Sequence, residues 1–502
     1  MMKNRQLKVG GMLSYFSTIL GYMISIVYTP VMLRLLGQTQ YGLYNLVYSI
    51  VSYLGLLSFG FGSSYIRFYS RYEVKDDRKS IAKLNGMFLS IFVIIGIVSV
   101  IAGLVLVKNT GVILGNKFSN KELSTAKIMM IVMVINIGIT FPGIIFNSYL
   151  SAKERFIFQN LLQILRQVAS PLLTLPMLIM GYGSIGMVII TTIVNITVII
   201  INIYWCLKKL KMRFIFRQYD TSLFKEIAIF SSFIFLNMVT DQINWNVDKF
   251  IVGRYKGAVA VSIYGIAAQI NTYYMSLSTT ISNLFIPRVN KLVASDSETS
   301  DEVDSLFVKV GRLQFILMGC ILLGIFIFGR QFIIIWAGRE YTSAYPILLL
   351  LATPTIVPLI QNLGIEVQRA KNLHHFRSWV YFLVALINIV VSIILVKQYG
   401  AIGTAFATAM ALIFGNIIVM NIYYYKIVKL DMIRFWKEIF SVIPAVIIPA
   451  IYGYFLMYFS LVNSLKDLVV YGIIYLLIYF CSMWLFGLNR YEKRLVTGLI
   501  GK

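Results

Sequence analysis

The stretch Ser231 to Gly265, SSFIFLNMVTDQINWNVDKFIVGRYKGAVAVSIYG, decides how this chain must be read. It is apolar enough for a buried helix, yet it carries two carboxylates, Asp241 and Asp248. Asn237, Asp241, Asn244 and Asp248 follow one another at intervals of four, three and four, which stacks them as one polar stripe on an α-helix. Phe235, Met238, Val239, Ile243 and Phe250 cover the remainder. A stripe of this kind inside a hydrophobic span requires a cavity or a partner.

Outward from this helix, runs of about 20 apolar residues, enough to cross a hydrocarbon core of about 30 Å, recur along the whole chain. A composition of 59% hydrophobic and 13% charged residues, with a mean hydropathy of +0.80, excludes an ordinary soluble protein. Short alternating segments are missing, so the spans read as helices. The expected fold is an all-α polytopic membrane protein with fourteen transmembrane helices. The first six fall near 12–33, 42–66, 84–107, 126–150, 156–180 and 184–206. The next six fall near 228–253, 258–287, 307–329, 343–365, 376–396 and 401–425, and the last two near 438–460 and 467–488. The opening MMKNRQLKVGGML resembles a signal-peptide start, but its long apolar run lacks an A-x-A site and reads as a retained first helix.

The formal charge of +25 raises the question of a nucleic-acid partner. Most of the 45 Lys and Arg, however, lie in alternate loops, and few, Lys127, Arg166 and Lys249 among them, fall within spans. This positive-inside bias puts both termini in the cytoplasm and accounts for the charge through topology and anionic lipid, without nucleic acid. Cys206, Cys320 and Cys481 show no metal-ligand spacing, and the histidines are the adjacent His374 and His375 in a short loop. No metal site, disulfide framework or catalytic set is indicated, and every extramembrane segment is short. The chain does not read as an enzyme, and no cofactor is called for.

The chain repeats itself. Arg34, Gly37 and Tyr44 reappear as Arg254, Gly257 and Tyr264, Ala152-Lys153 as Ala370-Lys371, and Tyr182-Gly183-Ser184-Ile185-Gly186 as Tyr399-Gly400-Ala401-Ile402-Gly403. Three matches in one order at nearly constant offset indicate a duplication. A unit of six spans is even, so both copies enter the membrane from the same side as parallel repeats about a shared midplane cavity that opens alternately to each face. The expected units are a six-helix lobe over 1–207, a basic cytoplasmic linker over 208–227, a second six-helix lobe over 228–430, and helices 13 and 14 with a tail over 431–502. The linker, with KKLKMRFIFRQYDTSLFK at Lys208 to Lys225, is expected along the inner membrane surface, and Ser295 to Ser305, SDSETSDEVDS, as a soluble loop. Pro30, Pro171 and Pro358 are candidate bending points.

Ionisable groups within or near the spans are the candidates for function. Asp241 and Asp248 are read as ion-coupling groups for H+ or Na+, with Asp241 the deeper and Asn237 and Asn244 completing its polar stripe; an ion pair of Asp248 with Lys249 or Arg254 is the structural alternative. Arg166 is a cation that loop topology does not explain, and its fork of donors suits phosphate oxygens, or else a structural partner. Arg34 and Arg254 are expected at the outer mouths and Arg67, Arg71, Arg288 and Arg312 at the inner ends; each reads individually as a topology anchor, and together they form the entrances of a cationic cavity.

With these residues in view, TPVMLRLLGQTQYGLYNLVYSIVSYLG (Thr29 to Gly55) and the basic exit IRFYSRY (Ile66 to Tyr72) resemble the opening of the Wzx-type oligosaccharide flippases. D-K-F-I-V-G-x3-G-x6-Y from Asp248 to Tyr264 resembles their seventh span, and YGAIGTAFAT from Tyr399 to Thr408 their twelfth. The resemblance implies the multidrug/oligosaccharidyl-lipid/polysaccharide exporter superfamily, with two six-helix lobes and a terminal pair. It implies transfer of undecaprenyl-pyrophosphate-linked repeat units from the inner to the outer leaflet for capsule, O-antigen or exopolysaccharide, with the polysaccharide polymerase machinery as a partner. Under it, Arg166, Arg34, Arg254, Arg67 and Arg288 are the candidates for the pyrophosphate. A lipid II flippase, a cation-coupled multidrug exporter and a membrane-embedded glycan polymerase remain as alternative readings.

Overall fold

The computed structural model describes residues 2–217, 221–294, 300–371 and 373–500, and among them there is no strand. It divides into two compact units, Met1–Ser262 and Ile263–Lys502. The helices of the first are α1 (Met2–Ser52), α2 (Phe61–Glu73), α3 (Arg78–Lys108), α4 (Thr110–Leu114), α5 (Asn120–Ala152), α6 (Phe156–Ile179) and α7 (Gly183–Tyr204). Next comes α8 (Thr221–Asn283), inside which the division falls. The second unit continues with α9 (Ile286–Ala294), α10 (Ser300–Trp336), α11 (Ala344–Ile360), α12 (Asn362–Ala370), α13 (His374–Leu412) and α14 (Met420–Tyr423). It ends with α15 (Met432–Phe440), α16 (Ile443–Tyr458), α17 (Leu465–Ser482) and α18 (Arg490–Ile500).

Among the described residues ten helices are long and apolar enough to cross a membrane, or eleven with α11 and α12 taken as one span bent by 45°. The bend follows Pro358, as the sequence leads one to expect, whereas α1 and α6 continue through Pro30 and Pro171. The helices start where a short polar side chain can replace a missing backbone partner. Asp77 accepts from the Ser80 N–H at 2.9 Å ahead of α3, and Ser119 and Glu122 form a capping box at α5.

The duplicated motifs fall on matching backbone events. Gly37 interrupts α1 at φ 72°, ψ 169°, and Gly257 interrupts α8 at φ 83°, ψ −178°. That region is essentially restricted to glycine. Gly183 and Gly400, the second matched pair, also have positive φ, 55° and 63°. Lys153 and Lys371 close α5 and α12 with nearly identical dihedrals, φ −81°, ψ 6° and φ −80°, ψ 2°. The repeat is therefore structural as well as textual.

Each unit has an aromatic core. In the first, Tyr65, Phe68, Phe88 and Phe92 are fully buried, and Tyr65 Oη donates to Asn85 Oδ1 at 2.7 Å. Asn85 in turn donates to the Arg213 carbonyl at 2.8 Å, and the Ile215 N–H to the Ala82 carbonyl at 2.9 Å. Residues 211–216 of the basic linker are thus a non-helical strap pinned to the start of α3; 218–220 lie outside the described residues. Of the acidic loop, 295–299 lie outside them, and from Ser300 the chain is already α10.

In the second unit Phe307 stacks on Phe435, centroids 4.6 Å apart, and Tyr479 and Tyr475 of α17 donate to the Ile316 and Cys320 carbonyls of α10 at 2.8 and 2.7 Å. Arg312 is 3% exposed, so it is not the entrance cation expected from its position. Its guanidinium donates to both Glu492 oxygens at 2.8 and 3.1 Å and to Glu438 Oε2 at 3.0 Å, tying α10 to α15 and α18. Removing one partner of a buried pair of this kind typically costs about 3–5 kcal/mol, because the other charge is stranded.

The backbone breaks can be checked by substitution. A Cβ at Gly37 meets nothing within 4 Å, so Gly37→Ala tests conformation alone and is expected to destabilise the protein by about 1–3 kcal/mol. Gly257→Ala should behave alike, while Gly11→Ala, in regular helix with equal room, should be neutral or slightly stabilising. Thermal unfolding in detergent reads all three.

Candidate functional site

Within the first unit α8 runs beside α2 and the end of α1, and the two ends of this seam close differently. At one end Arg71 pairs with Glu226 at 3.2 Å, the Arg67 guanidinium lies 4.3 Å from the centre of the Phe230 ring, and Ser64 and Ser231 share a buried hydrogen bond of 2.7 Å. Phe59 and Phe235 follow, 4.7 Å apart. The Arg71 pair is half exposed and worth little by itself. The serine pair is dry and therefore more discriminating.

At the other end the backbones meet. A Cβ at Gly42 would lie 1.8 Å from the Ala258 carbonyl oxygen, so only glycine permits this approach, and Gly253 faces the Leu46 side chain. Arg254 donates to the Val112 and Ile113 carbonyls, both at 2.6 Å, and so closes the orphaned end of α4.

Between these contacts the seam parts. Residues Tyr53–Ser58 form a 3₁₀ turn, followed by Phe59 and Gly60 at positive φ, so the second expected span is broken in its middle. A mid-helix 3₁₀ stretch narrows the helix and often marks a functional position. The gap is a cavity of about 320 Å³, bounded by Ser52, Gly55 and Leu56 on one side and by Met238, Asp241, Gln242, Trp245 and Asn246 on the other. The five α8 residues lie at i, i+3, i+4, i+7 and i+8, one face of a helix. Gln242 donates to Ser52 Oγ across the cavity margin.

The sequence reading therefore found one edge of this face. Asp241 lines the cavity, but Asn237 and Asn244 do not, and Asp248 is 3% exposed, near Tyr53. The two carboxylates thus differ in surroundings, Asp241 exposed and Asp248 buried. Trp245, Gln242 and Asn246 were legible through the same helical spacing had neutral and aromatic residues been counted with the charges. The break in the second span was signalled by Gly55, Gly60 and Gly62.

The candidate arginines are not gathered here. None lines the cavity. Arg67 is stacked on Phe230 and Arg254 is committed to α4, while Arg34 and Arg166 are exposed and, among the described residues, have no ion pair or side-chain hydrogen bond. Arg288 is exposed on α9 in the second unit. A second cavity of about 420 Å³ lies at Gly37–Gln40 and is lined by Lys121 and Glu122, but Glu122 is engaged in the capping box of α5. Among the described residues no group of three or more His, Cys, Asp or Glu could hold a metal ion.

The family described as polysaccharide biosynthesis protein matches residues 8–293. The membrane protein EpsK of Bacillus subtilis is 19% identical over 485 residues, 95% of each chain. A Shigella flexneri protein named as an O-antigen transporter is 20% identical over 401 residues, 78% of this chain and 91% of its own. The structure of the lipid II flippase MurJ in an inward closed conformation superimposes with a TM-score of 0.74, covering 95% of this chain and 98% of that one at 16% identity. At that identity the likeness shows the fold.

The closed seam makes a thermodynamic prediction. Ser64→Ala should strand the Ser231 hydroxyl and cost about 1–2 kcal/mol, and Ser231→Ala likewise. The double variant should cost clearly less than the sum of the two, as a denaturation cycle in detergent would show.

Proposed function

This chain belongs to the polysaccharide biosynthesis protein family, and from that premise we propose that it is a flippase for lipid-linked oligosaccharide. The observation that carries the reading is the Asp241 cavity, held between two closed contacts that α8 makes with α1 and α2. A site enclosed in this way is what alternating access requires, since one end must stay shut while the other opens. The relative named as an O-antigen transporter supports transport rather than an enzymatic role.

On this reading the three helices interrupted at Gly37, Gly257 and Gly400 each supply two spans. A helix of 62 residues would extend about 93 Å, three times the hydrocarbon thickness. With α11 and α12 as one bent span the count becomes fourteen: two parallel six-helix lobes, 1–207 and 228–430, the linker 208–227 and the terminal pair of 431–502. The first half of α8 then opens the second lobe, and its seam with α2 is the surface along which the lobes part. The protein lies in the bacterial cytoplasmic membrane with both termini inside, moves undecaprenyl-pyrophosphate-linked repeat units outward, and delivers them to a polymerase.

The residues divide the work. Arg34 and Arg166, whose donors are uncommitted among the described residues, suit the pyrophosphate best, and Arg288 is the corresponding candidate of the second unit. Arg67 and Arg254 act in closure through Phe230 and α4. If H+ or Na+ drives the cycle, buried Asp248 takes it, with Asn244 one turn away and Asn237 further along the same stripe, while Asp241 faces the substrate. The MurJ likeness favours a lipid II flippase as the second reading, through fold alone.

Reconstitution in vesicles with a labelled polyprenyl-pyrophosphate oligosaccharide tests this. Transbilayer movement should exceed that in lipid-only vesicles, fall about tenfold, equivalent to roughly 1.4 kcal/mol, in Arg166→Gln, and lose its dependence on a pH or Na+ gradient in Asp248→Asn. No movement across several glycans and gradients would overturn the flippase, and faster movement of lipid II would favour the second reading.

A further inference from the structure

We propose that the Asp241–Trp245 face is a subsite for one uncharged pyranose ring, so that this cavity reads the glycan and not the diphosphate. The inference rests on the flippase reading and concerns which part of the substrate sits here. Asp241 lies near the middle of the span from Thr221 to Gly257 and is exposed. An ionised carboxylate against acyl chains costs several kcal/mol, so the surface it faces is wet.

The chemistry around it is specific. Trp245 is 49% exposed and presents an indole face, an apolar plane suited to the C–H face of a sugar ring. An ionised Asp241 can only accept hydrogen bonds, which suits a sugar hydroxyl; the Asn246 amide both donates and accepts. Gln242 is partly committed to Ser52, which leaves its amide oxygen to accept. Helical spacing holds Asp241, Trp245 and Asn246 on one face without help from a mobile loop.

Charge and size narrow the ligand. The cavity lining contains no Lys or Arg, so nothing there offsets the charge of a diphosphate, and Asp241 repels both a diphosphate and a uronic acid. A volume of about 320 Å³ lies at the lower end of small-molecule sites, which begin near about 300 Å³, and fits a single ring rather than a whole repeat unit with its lipid. A lipophilic cation would also accept a carboxylate beside an indole. Ser52, Gln242 and Asn246 add polar walls that such a cation would leave unsatisfied, and this favours the sugar.

The test uses the full chain in lipid nanodiscs and follows the tryptophan emission that is lost in Trp245→Phe. The titrants are methyl β-glucoside, methyl N-acetyl-β-glucosaminide, methyl β-glucuronide and tetraphenylphosphonium. At least one neutral glycoside should give a saturable change, absent in Trp245→Phe and weakened about tenfold or more in Asp241→Ala. The glucuronide should bind to Asp241→Asn and not to the wild type. The subsite is overturned if no neutral glycoside binds, if Trp245→Phe responds like the wild type, if the glucuronide binds as well as the glucoside, or if tetraphenylphosphonium displaces the glycosides at lower concentration. Vesicle transport that persists without glycoside binding would sink the subsite alone; glycoside binding without transport would sink the flippase alone.

Discussion

A carboxylate in the middle of an apolar helix must be given water, a partner or a proton, and the arrangement around α8 follows from that requirement. Asp241 faces a cavity, and the cavity exists because the facing helix breaks into a 3₁₀ turn at Tyr53–Ser58. Asp248, two turns further on, is buried beside Tyr53. One helix thus carries two carboxylates in opposite surroundings, and surroundings of that kind separate the roles of otherwise similar groups.

The seam that encloses the cavity uses a different device at each end. The Gly42–Ala258 contact is backbone against backbone and has almost no tolerance, since any side chain at position 42 would collide. The Ser64–Ser231, Arg67–Phe230 and Arg71–Glu226 contacts are made by side-chain tips, which can part and be rehydrated at modest cost. The duplication supplies the frame for both, because the matched glycines Gly37 and Gly257 end the helices that would otherwise run on through the membrane surface. It does not supply the carboxylates: the counterpart of α8, the part of α1 that ends near Arg34, has none.

Much of this was legible in the residues. Helicity and membrane location follow from the length and spacing of the apolar runs, and the repeat from three short matches whose glycines prove to share positive φ. The Asp241 helix stood out because charge inside an apolar run is costly and therefore conspicuous. What did not show is anything decided by a partner element. Arg312 looks like any basic residue at a span end until Glu492, 180 residues later, is brought against it. Arg254 looks like a ligand until α4 presents its carbonyls. The burial of Asp248 relative to Asp241 depends on where α1 breaks, which its three nearby glycines signal only weakly.

The central claim is that the two ends of the seam that α8 forms with α1 and α2 open in alternation around the cavity. It is tested most directly by pulsed electron-resonance distances between nitroxides placed at Lys75 and Lys225 beyond one end, and at Thr39 and Lys256 beyond the other, with exposed Cys481 replaced by serine. Measured in nanodiscs with and without lipid-linked oligosaccharide, the two distances should shift in opposite senses, one pair widening as the other narrows. If both pairs widen together, or neither responds to substrate, the seam is a fixed packing surface and the account is wrong.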